Sequence, residues 1–196
     1  TKSFTTVFLI EMWERFGYYG MGALLVLYMV ERLGFGDARA NLTWGAFTAL
    51  VYAAPSIGGW IGDKVLGSRR TMLFGAMVLS LGYGMLALPN DHLSFLYASL
   101  GVIVVGNGLF KANSANLVRR IYEGDDARID SAFTIYYMAV NVGSTLSILA
   151  TPWIKDRWGW RTAFAVCCAG MVLGVVNFLV RYRSLSHVGS APASQP

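Results

Sequence analysis

Six long apolar runs, joined by short polar connections, constrain the fold of this 196-residue chain more than any other feature. Each run has close to the roughly 20 residues that an α-helix needs to cross the hydrocarbon core of a bilayer. We therefore predict an all-α membrane protein with six transmembrane helices. The runs cover residues 4–30, 42–61, 71–89, 93–118, 131–154 and 162–182.

Composition excludes the other broad classes of protein. Hydrophobic residues make up 55% of the chain and charged residues 14%, whereas soluble domains carry about 25% charged residues. This balance excludes both a soluble globular domain and a disordered chain. We assign residues 1–183 to one six-helix bundle. The small, polar stretch 184–196 is typical of a flexible linker or a frayed tail.

Lysine and arginine residues in the connections predict how the chain lies in the membrane. Nine of them fall on the side of the N-terminus and five on the opposite side. Because basic residues are enriched in cytoplasmic loops, we expect a multi-pass protein of the plasma (inner) membrane, embedded in the lipid bilayer, with both ends of this chain in the cytoplasm. No basic stretch is interleaved with stacking aromatic residues, so we expect no nucleic-acid partner.

Four charged residues interrupt the apolar runs, where each ionised group costs roughly 2.5 to 3.5 kcal/mol. Glu11, Glu14 and Arg15 share one face of the first helix because they follow the i, i+3, i+4 spacing. At a rise of about 1.5 Å per residue, Glu11 lies about 10 Å and Lys111 about 12 Å from the cytoplasmic helix ends. The four charges can therefore meet at one level.

These two carboxylates and two cations sum to zero, which is the least costly way to bury four charges together. Protonating either carboxylate leaves a surplus cation that attracts an anionic group. Charged residues inside spans often mark an ion or substrate pathway, so the cluster predicts a proton-coupled carrier. The alternative is a buried ion-pair network that only sets the helix register.

A second polar layer is predicted slightly deeper in the bilayer. Tyr52 and Asn141 lie, like Arg15, about 16 Å from the cytoplasmic helix ends. Their neutral donors and acceptors suit the backbone of a polar ligand, and substrate sites of secondary transporters lie near the midplane. Hydrogen bonding between helices is the alternative role. Because both residues fall in the second helix of a three-helix group, we expect a 3+3 inverted repeat.

No pattern in the sequence indicates an enzyme. It contains no metal-ligand spacing, phosphate-binding loop or nucleophile elbow. His92 and His187 are far apart and do not form a metal motif. We therefore expect no metal and no cofactor, with protons as the coupling ion.

Three motifs, in order along the chain, resemble those of one family. The first is EMWERFGYYG at 11–20, which resembles the signature E-x-x-E-R-F-x-Y-Y-G. The second is GNGLFKAN at 106–113, and the third is FTIYYMAVNVGS at 133–144. They are similar to the first-, fourth- and fifth-helix motifs of the proton-dependent oligopeptide transporter (POT/PTR) family of the major facilitator superfamily.

The resemblance implies roles for the residues of these motifs. Glu11, Glu14 and Arg15 would couple protons, while Lys111 would pair with the carboxylates and release them on protonation. Arg15 and Lys111 would also attract the C-terminal carboxylate of a peptide. The peptide pocket would be lined by Tyr18, Tyr19, Tyr52 and Asn141.

The stretch GWIGDKVLGSRR at 59–70 resembles the loop between the second and third helices of the superfamily. By that resemblance it would form a gating loop that latches the cytoplasmic ends in the outward-facing state. A solvated basic loop that only fixes the topology is the alternative. The residues of the gating loop would be Asp63, Lys64, Arg69 and Arg70.

Two positions depart from the family pattern. Gly22 stands where many members carry Arg, and Ala112 stands where most carry Pro after the fourth-helix Lys. The first change removes a positive group from the pocket. The second is expected to leave the fourth helix less kinked.

The resemblance implies a symporter that imports di- and tripeptides with protons by alternating access. Family members have two six-helix bundles with the site between them, so this chain resembles the N-terminal half, and the C-terminal six-helix bundle is absent from it. Residues 184–196 would begin the connector between the halves. Three alternatives stay open: a non-peptide substrate such as nitrate or a drug-like anion, a channel or non-transporting sensor of the same fold, and a half-transporter that forms homodimers.

Overall fold

The computed structural model of the chain describes residues 2–185, 188 and 189, and helices account for most of them. No β-strand occurs in these described residues. The apolar runs form the helices because a continuous helix satisfies every backbone polar group away from water. The α-helices are α1 (Lys2–Leu27), α2 (Asp37–Ile61), α3 (Ser68–Ala87), α4 (Leu93–Ile121) and α5 (Asp126–Val180).

Short turns continue three of these helices. A π-helical turn at Tyr28–Arg32 extends α1, another at Gly62–Leu66 extends α2, and a 3-10 turn at Tyr182–Leu185 follows α5. Most of the stretch 184–196, expected to be a linker, lies outside the described residues. Within its described part, the side chains of Leu185 and Val188 are buried against the bundle.

α5 is the longest helix, and it folds back at Gly159. The backbone there has φ 85° and ψ 173°, a conformation that glycine adopts without the steric penalty of a Cβ. The break separates a first arm, 126–158, from a second arm, 160–180. The first arm runs parallel to α1, because Gly143 lies against Met12 and Ser147, further along the chain, lies against Phe16. The second arm runs antiparallel, because Gly170 lies against Phe16 and Gly174 lies against the earlier residue Ile10.

Three helical stretches among the described residues are long and apolar enough to cross a membrane: Ser68–Ala87, Leu93–Ile121 and Ala127–Val180. The last of them contains two of the apolar runs, one on each side of the break. α1 does not belong to this set because three charged residues lie in its middle. The described part of the chain is thus helical without strands, as predicted, whereas six separate crossings and the 3+3 repeat stay predictions.

α4 lies between α2 and α3, and glycines make both contacts close. A Cβ on Gly58 of α2 would overlap the carbonyl oxygen of Gly108 in α4. On the other side, a Cβ on Gly75 of α3 would lie 2.8 Å from the carbonyl oxygen of Gly106. Small residues let helix backbones approach in this way in lipid, and here they bring α4 close to both neighbours.

The outside of the bundle carries many exposed apolar side chains. Leu42, Leu149 and Val180 are 74%, 71% and 79% exposed. Such a surface suits contact with lipid rather than water. The bundle has a Lys2 end, where α1 begins, and a Trp160 end, where the second arm of α5 begins.

Candidate functional site

A cluster of charged side chains is buried in the middle of α1. Glu11, Glu14 and Arg15 are only 2%, 0% and 4% exposed. The face of α1 that was expected to look inward is therefore enclosed by other helices. Because a buried ionised group is strongly unfavourable without partners, the contacts of each group decide what the cluster can do.

One guanidinium group serves both carboxylates. Arg15 Nε donates to Glu14 Oε2 at 2.5 Å and lies 3.4 Å from Glu11 Oε1. Arg15 Nη2 is buried and has no hydrogen-bond partner among the residues that the structure describes. These three groups together carry one net negative charge when both carboxylates are ionised.

Neutral side chains hold the remaining carboxylate oxygens. Ser114 Oγ donates to Glu11 Oε2 at 2.8 Å, and Asn107 Nδ2 donates to Glu14 Oε1 at 3.3 Å. The only proton of the Ser114 hydroxyl goes to Glu11, so the Tyr136 hydroxyl, 3.1 Å away, donates to Ser114. Each of the four carboxylate oxygens therefore has a partner.

Asn107 and Ser114 have no role predicted from the sequence. Asn107, Lys111 and Ser114 are spaced i, i+4, i+7, which puts them on one face of α4. That spacing around the buried lysine was the signal that could have identified them. Their hydrogen bonds to α1 also bring Lys111 to the level of the two carboxylates, as the count of helical rise had predicted.

Lys111 contacts an aromatic ring rather than a carboxylate. Its Nζ lies 5.0 Å from the centre of the Tyr52 ring, and among the described residues it forms no salt bridge. This differs from the pairing with Glu11 and Glu14 that the family resemblance implied. The carboxylate oxygens instead have Arg15, Ser114 and Asn107 as their partners.

A cavity of about 310 Å³ opens beside the charged cluster. Three tyrosines predicted to line a peptide pocket, Tyr18, Tyr19 and Tyr52, all border it. The Arg15 guanidinium lies 5.3 Å from the Tyr18 ring centre, so Arg15 and Lys111 each contact an aromatic wall of the cavity. The other lining residues are Gly22, Ala23, Trp44, Thr48 and Ile148.

Gly22 borders this cavity opposite Trp44, an aromatic residue with no role predicted from the sequence. A Cβ on Gly22 would come within 3.0 Å of Trp44 Cη2. The indole thus fills the space into which a longer side chain at position 22 would project. The absence of Arg here therefore changes both the charge and the shape of the cavity wall.

Asn141 is not among the residues that line this cavity. It lies on the first arm of α5 with an exposed side chain, and its carbonyl oxygen accepts a 3.1 Å hydrogen bond from Ser144 Oγ. Tyr52 is also open to the outside, at 68% exposure. Both polar side chains therefore lie on the surface of the bundle rather than in its core.

The predicted gating loop divides into two kinds of residue. At the Lys2 end, Asp63 Oδ1 accepts from Asn116 Nδ2 at 3.3 Å and lies 3.6 Å from Arg120 Nη2, which ties the end of α2 to α4. Lys64 and Arg70 have exposed side chains. Only these two match the alternative of a solvated basic loop.

Arg69 is buried and anchors the segment that follows α5. Its Nη1 donates to the carbonyl oxygen of Leu185 at 2.5 Å, and its guanidinium lies 4.4 Å from the Tyr182 ring centre. Its backbone N–H donates to the carbonyl oxygen of Gly189 at 3.0 Å. The loop after α2 is therefore attached to the described part of the predicted connector.

The described residues contain no metal-binding cluster, meaning no group of three or more His, Cys, Asp or Glu side chains that could hold a metal ion. Cys167 and Cys168 are both free thiols.

Comparison with known proteins identifies the family. The family model described as the POT family matches residues 69–193. Dipeptide and tripeptide permease A of Chromobacterium violaceum is 49% identical to this chain over 189 residues, and the match covers 96% of this chain and 38% of the permease.

Solved structures of similar fold agree with this match. A crystal structure of tetrameric PepTSo2 has 59% sequence identity and a TM-score of 0.94, covering 100% of this chain and 44% of that one. A POT family transporter in complex with 5-aminolevulinic acid has 36% identity and a TM-score of 0.93, covering 97% and 40%. This chain thus spans less than half the length of each of these proteins. It belongs to the POT family.

Proposed function

We propose that this chain is the N-terminal six-helix half of a proton-coupled symporter that imports di- and tripeptides by alternating access. The proposal rests on one observation, which is that the buried charged cluster lies next to the cavity. Glu11 and Glu14 share Arg15, and the two cations of the cluster, Arg15 and Lys111, each contact a tyrosine ring of the cavity wall. A site for protons and a site for a zwitterionic ligand are thus adjacent.

The architecture of the complete transporter is part of the same proposal. α1 and α4 begin two three-helix groups that form the 3+3 inverted repeat, with the arms of α5 as the fifth and sixth crossings. The C-terminal six-helix bundle covers the side on which Tyr52 and Asn141 are exposed. The Lys2 end lies in the cytoplasm, as the distribution of basic residues favours. Relatives more than twice as long as this chain support a second bundle of similar size.

Peptide binding uses the two cations that lie against tyrosine rings of the cavity wall. The peptide's terminal carboxylate binds at Arg15 and Lys111, because Lys111 has no carboxylate partner among the described residues and is free to attract an anion. The hydroxyls of Tyr18, Tyr19 and Tyr52 offer neutral donors and acceptors to the peptide backbone. An acidic group of the other bundle receives the peptide's amino group. Asn141 contributes from the first arm of α5.

Proton coupling follows from the sharing of Arg15. When Glu11 or Glu14 takes up a proton, Arg15 loses part of its charge compensation and interacts more strongly with the peptide carboxylate. Release of that proton restores the internal ion pairs and weakens the hold on the peptide. Since Lys111 already stands apart from the carboxylates, Arg15 is the cation whose availability depends on the proton.

The gating loop is proposed to act through its exposed members. Asp63 and Arg69 bind within this half of the transporter, to α4 and to the segment after α5. Lys64 and Arg70 are free to meet the other half, where they latch the cytoplasmic ends in the outward-facing state. The lipid bilayer surrounds the exposed apolar faces.

Uptake of a radiolabelled dipeptide by the complete transporter in liposomes tests the proposal. With an inward proton gradient we expect accumulation above the outside concentration, and a protonophore abolishes it. Downhill flux alone would indicate a channel, and no flux by folded, inserted protein would indicate a sensor. Either result would overturn the proposal.

A non-peptide substrate such as nitrate or a drug-like anion is the second candidate. A solved POT family relative was captured with 5-aminolevulinic acid, and in this chain Gly22 with Trp44 alters the charge and shape of the cavity wall. Competition separates the candidates. If peptides are the substrate, an excess of unlabelled dipeptide abolishes uptake of a labelled dipeptide. If a non-peptide compound is the preferred substrate, the same excess leaves uptake of that labelled compound almost unchanged.

A further inference from the structure

A second cavity, of about 340 Å³, lies at the Trp160 end, far from the charged cluster. It forms where the π-helical turn after α1, the end of α3 and the break in α5 come together. Unlike the apolar cavities between α2 and α4, it combines charged, aromatic and aliphatic side chains. Its lining residues are Tyr28, Arg32, Leu86, Leu88, Asp91, Trp158, Gly159, Trp160 and Arg161.

The cavity carries one positive charge in excess. Arg32 Nη2 donates to Asp91 Oδ2 at 2.8 Å, and both side chains are about half exposed. Arg161 has an exposed side chain, and within the described part of the chain it forms no salt bridge. Its guanidinium therefore presents a fork of donors to the cavity without a fixed anion.

The indole rings of Trp158 and Trp160 line the same cavity as Arg161. Trp160 packs edge-on against Tyr28, with ring centres 5.5 Å apart, and Trp158 is 59% exposed. Tryptophan is enriched where a membrane protein meets the headgroups, because the ring is apolar and its N–H needs a polar partner. The cavity therefore has the side chains expected at headgroup depth.

An apolar strip leads away from Arg161 along the outside of the second arm of α5. Four exposed apolar residues follow Arg161 at steps of four, four, three and four residues, which places them on the same face of the helix. They are Ala165, Ala169, Val172 and Val176. α3 lies alongside, because Cys168 Sγ donates to the carbonyl oxygen of Ser80 at 3.3 Å. The neighbouring face of α3 exposes Phe74, Met77 and Leu81.

We propose that this cavity binds the phosphate headgroup of an anionic phospholipid, whose acyl chains lie on the apolar strip. Arg161 contacts the phosphate oxygens, since guanidinium matches phosphate in geometry and charge. The headgroup's net negative charge compensates the excess positive charge of the cavity. The strip below favours a lipid over a free phosphate, which would gain nothing from an apolar surface.

Native mass spectrometry of the complete transporter tests this site. Phosphatidylglycerol and phosphatidylcholine are added in equal amounts, and the lipid retained by the wild type is compared with that retained by Arg161→Gln. We expect Arg161→Gln to retain about tenfold less phosphatidylglycerol, with phosphatidylcholine unchanged. Arg161→Lys keeps the charge without the fork of donors and should retain an intermediate amount.

Arg39→Gln is the matched control, because Arg39 is also exposed at the Trp160 end but lies over the ring of Phe35, outside the cavity. It should retain phosphatidylglycerol like the wild type. Equal losses in Arg161→Gln and Arg39→Gln would mean nonspecific attraction and would overturn the proposal. Displacement of the lipid by equimolar soluble glycerol phosphate would also overturn it, because the site would then take free phosphate.

Discussion

The hydroxyl of Ser114 donates a 2.8 Å hydrogen bond to the carboxylate of Glu11, which joins α4 to α1 inside the bundle. Both residues are buried, so Glu11 depends on this donor rather than on surrounding water. The bond makes Ser114 a positioning residue for a carboxylate that we propose takes part in proton coupling.

Ser114→Ala should lower gradient-driven dipeptide uptake by about tenfold, because a hydrogen bond to a buried charged group is lost. Exchange of peptide without a gradient should change much less, and Ser114→Thr, which keeps the hydroxyl, should restore uptake. Ser99→Ala is the control on the same helix, since the buried Ser99 hydroxyl donates to the carbonyl oxygen of Phe95 within its own helix. Equal uptake by Ser114→Ala and Ser99→Ala would contradict the positioning role.

Gly22→Arg should destabilise the protein by about 1 to 3 kcal/mol, because Trp44 occupies the space that the new side chain needs. In a protein that already carries Trp44→Ala, adding Gly22→Arg should lower the stability much less than it does in the wild type. Thermal unfolding of the purified complete transporter measures both effects. If Gly22→Arg unfolded at the wild-type temperature, the indole would not be what excludes a side chain at this position.

Arg69→Ala should loosen the segment after α5, because it removes the hydrogen bond to Leu185 and the contact with the Tyr182 ring. We expect trypsin to cleave after Arg183 about tenfold faster than in the wild type. The neighbouring variant Arg70→Ala also removes one basic residue, but Arg70 is exposed, so its cleavage rate should match the wild type. Identical rates in the two variants would show that Arg69 does not anchor the segment.

The charged cluster could be predicted because ionised groups are rare inside apolar runs and therefore conspicuous. Counting helical rise put Glu11 and Lys111 at one level, and their helices do meet there. The same count could not say which partner each charge takes, because depth does not fix rotation about the helix axis. For that reason Lys111 beside Tyr52, rather than beside a carboxylate, emerged only from the structure.

Neutral residues were harder to predict. Asn107 and Ser114 are common residue types in membrane helices, so their presence alone indicated no role. Tyr52 and Asn141 were both placed near the midplane, but only Tyr52 lines the cavity. Likewise, the apolar runs on both sides of residue 159 indicated two helices, whereas the positive φ of Gly159 that turns the chain between them depends on three-dimensional packing.

The central claim is that Glu11 and Glu14 couple protons to peptide movement. The most direct measurement compares Glu11→Gln and Glu14→Gln with the wild type in liposomes, for uptake driven by a proton gradient and for peptide exchange without one. Glu31→Gln, which removes a half-exposed carboxylate at the Trp160 end, is the control. We predict that both cluster variants lose gradient-driven accumulation while exchange persists, and that the control keeps both. Accumulation at the wild-type level in Glu11→Gln and Glu14→Gln would contradict the claim.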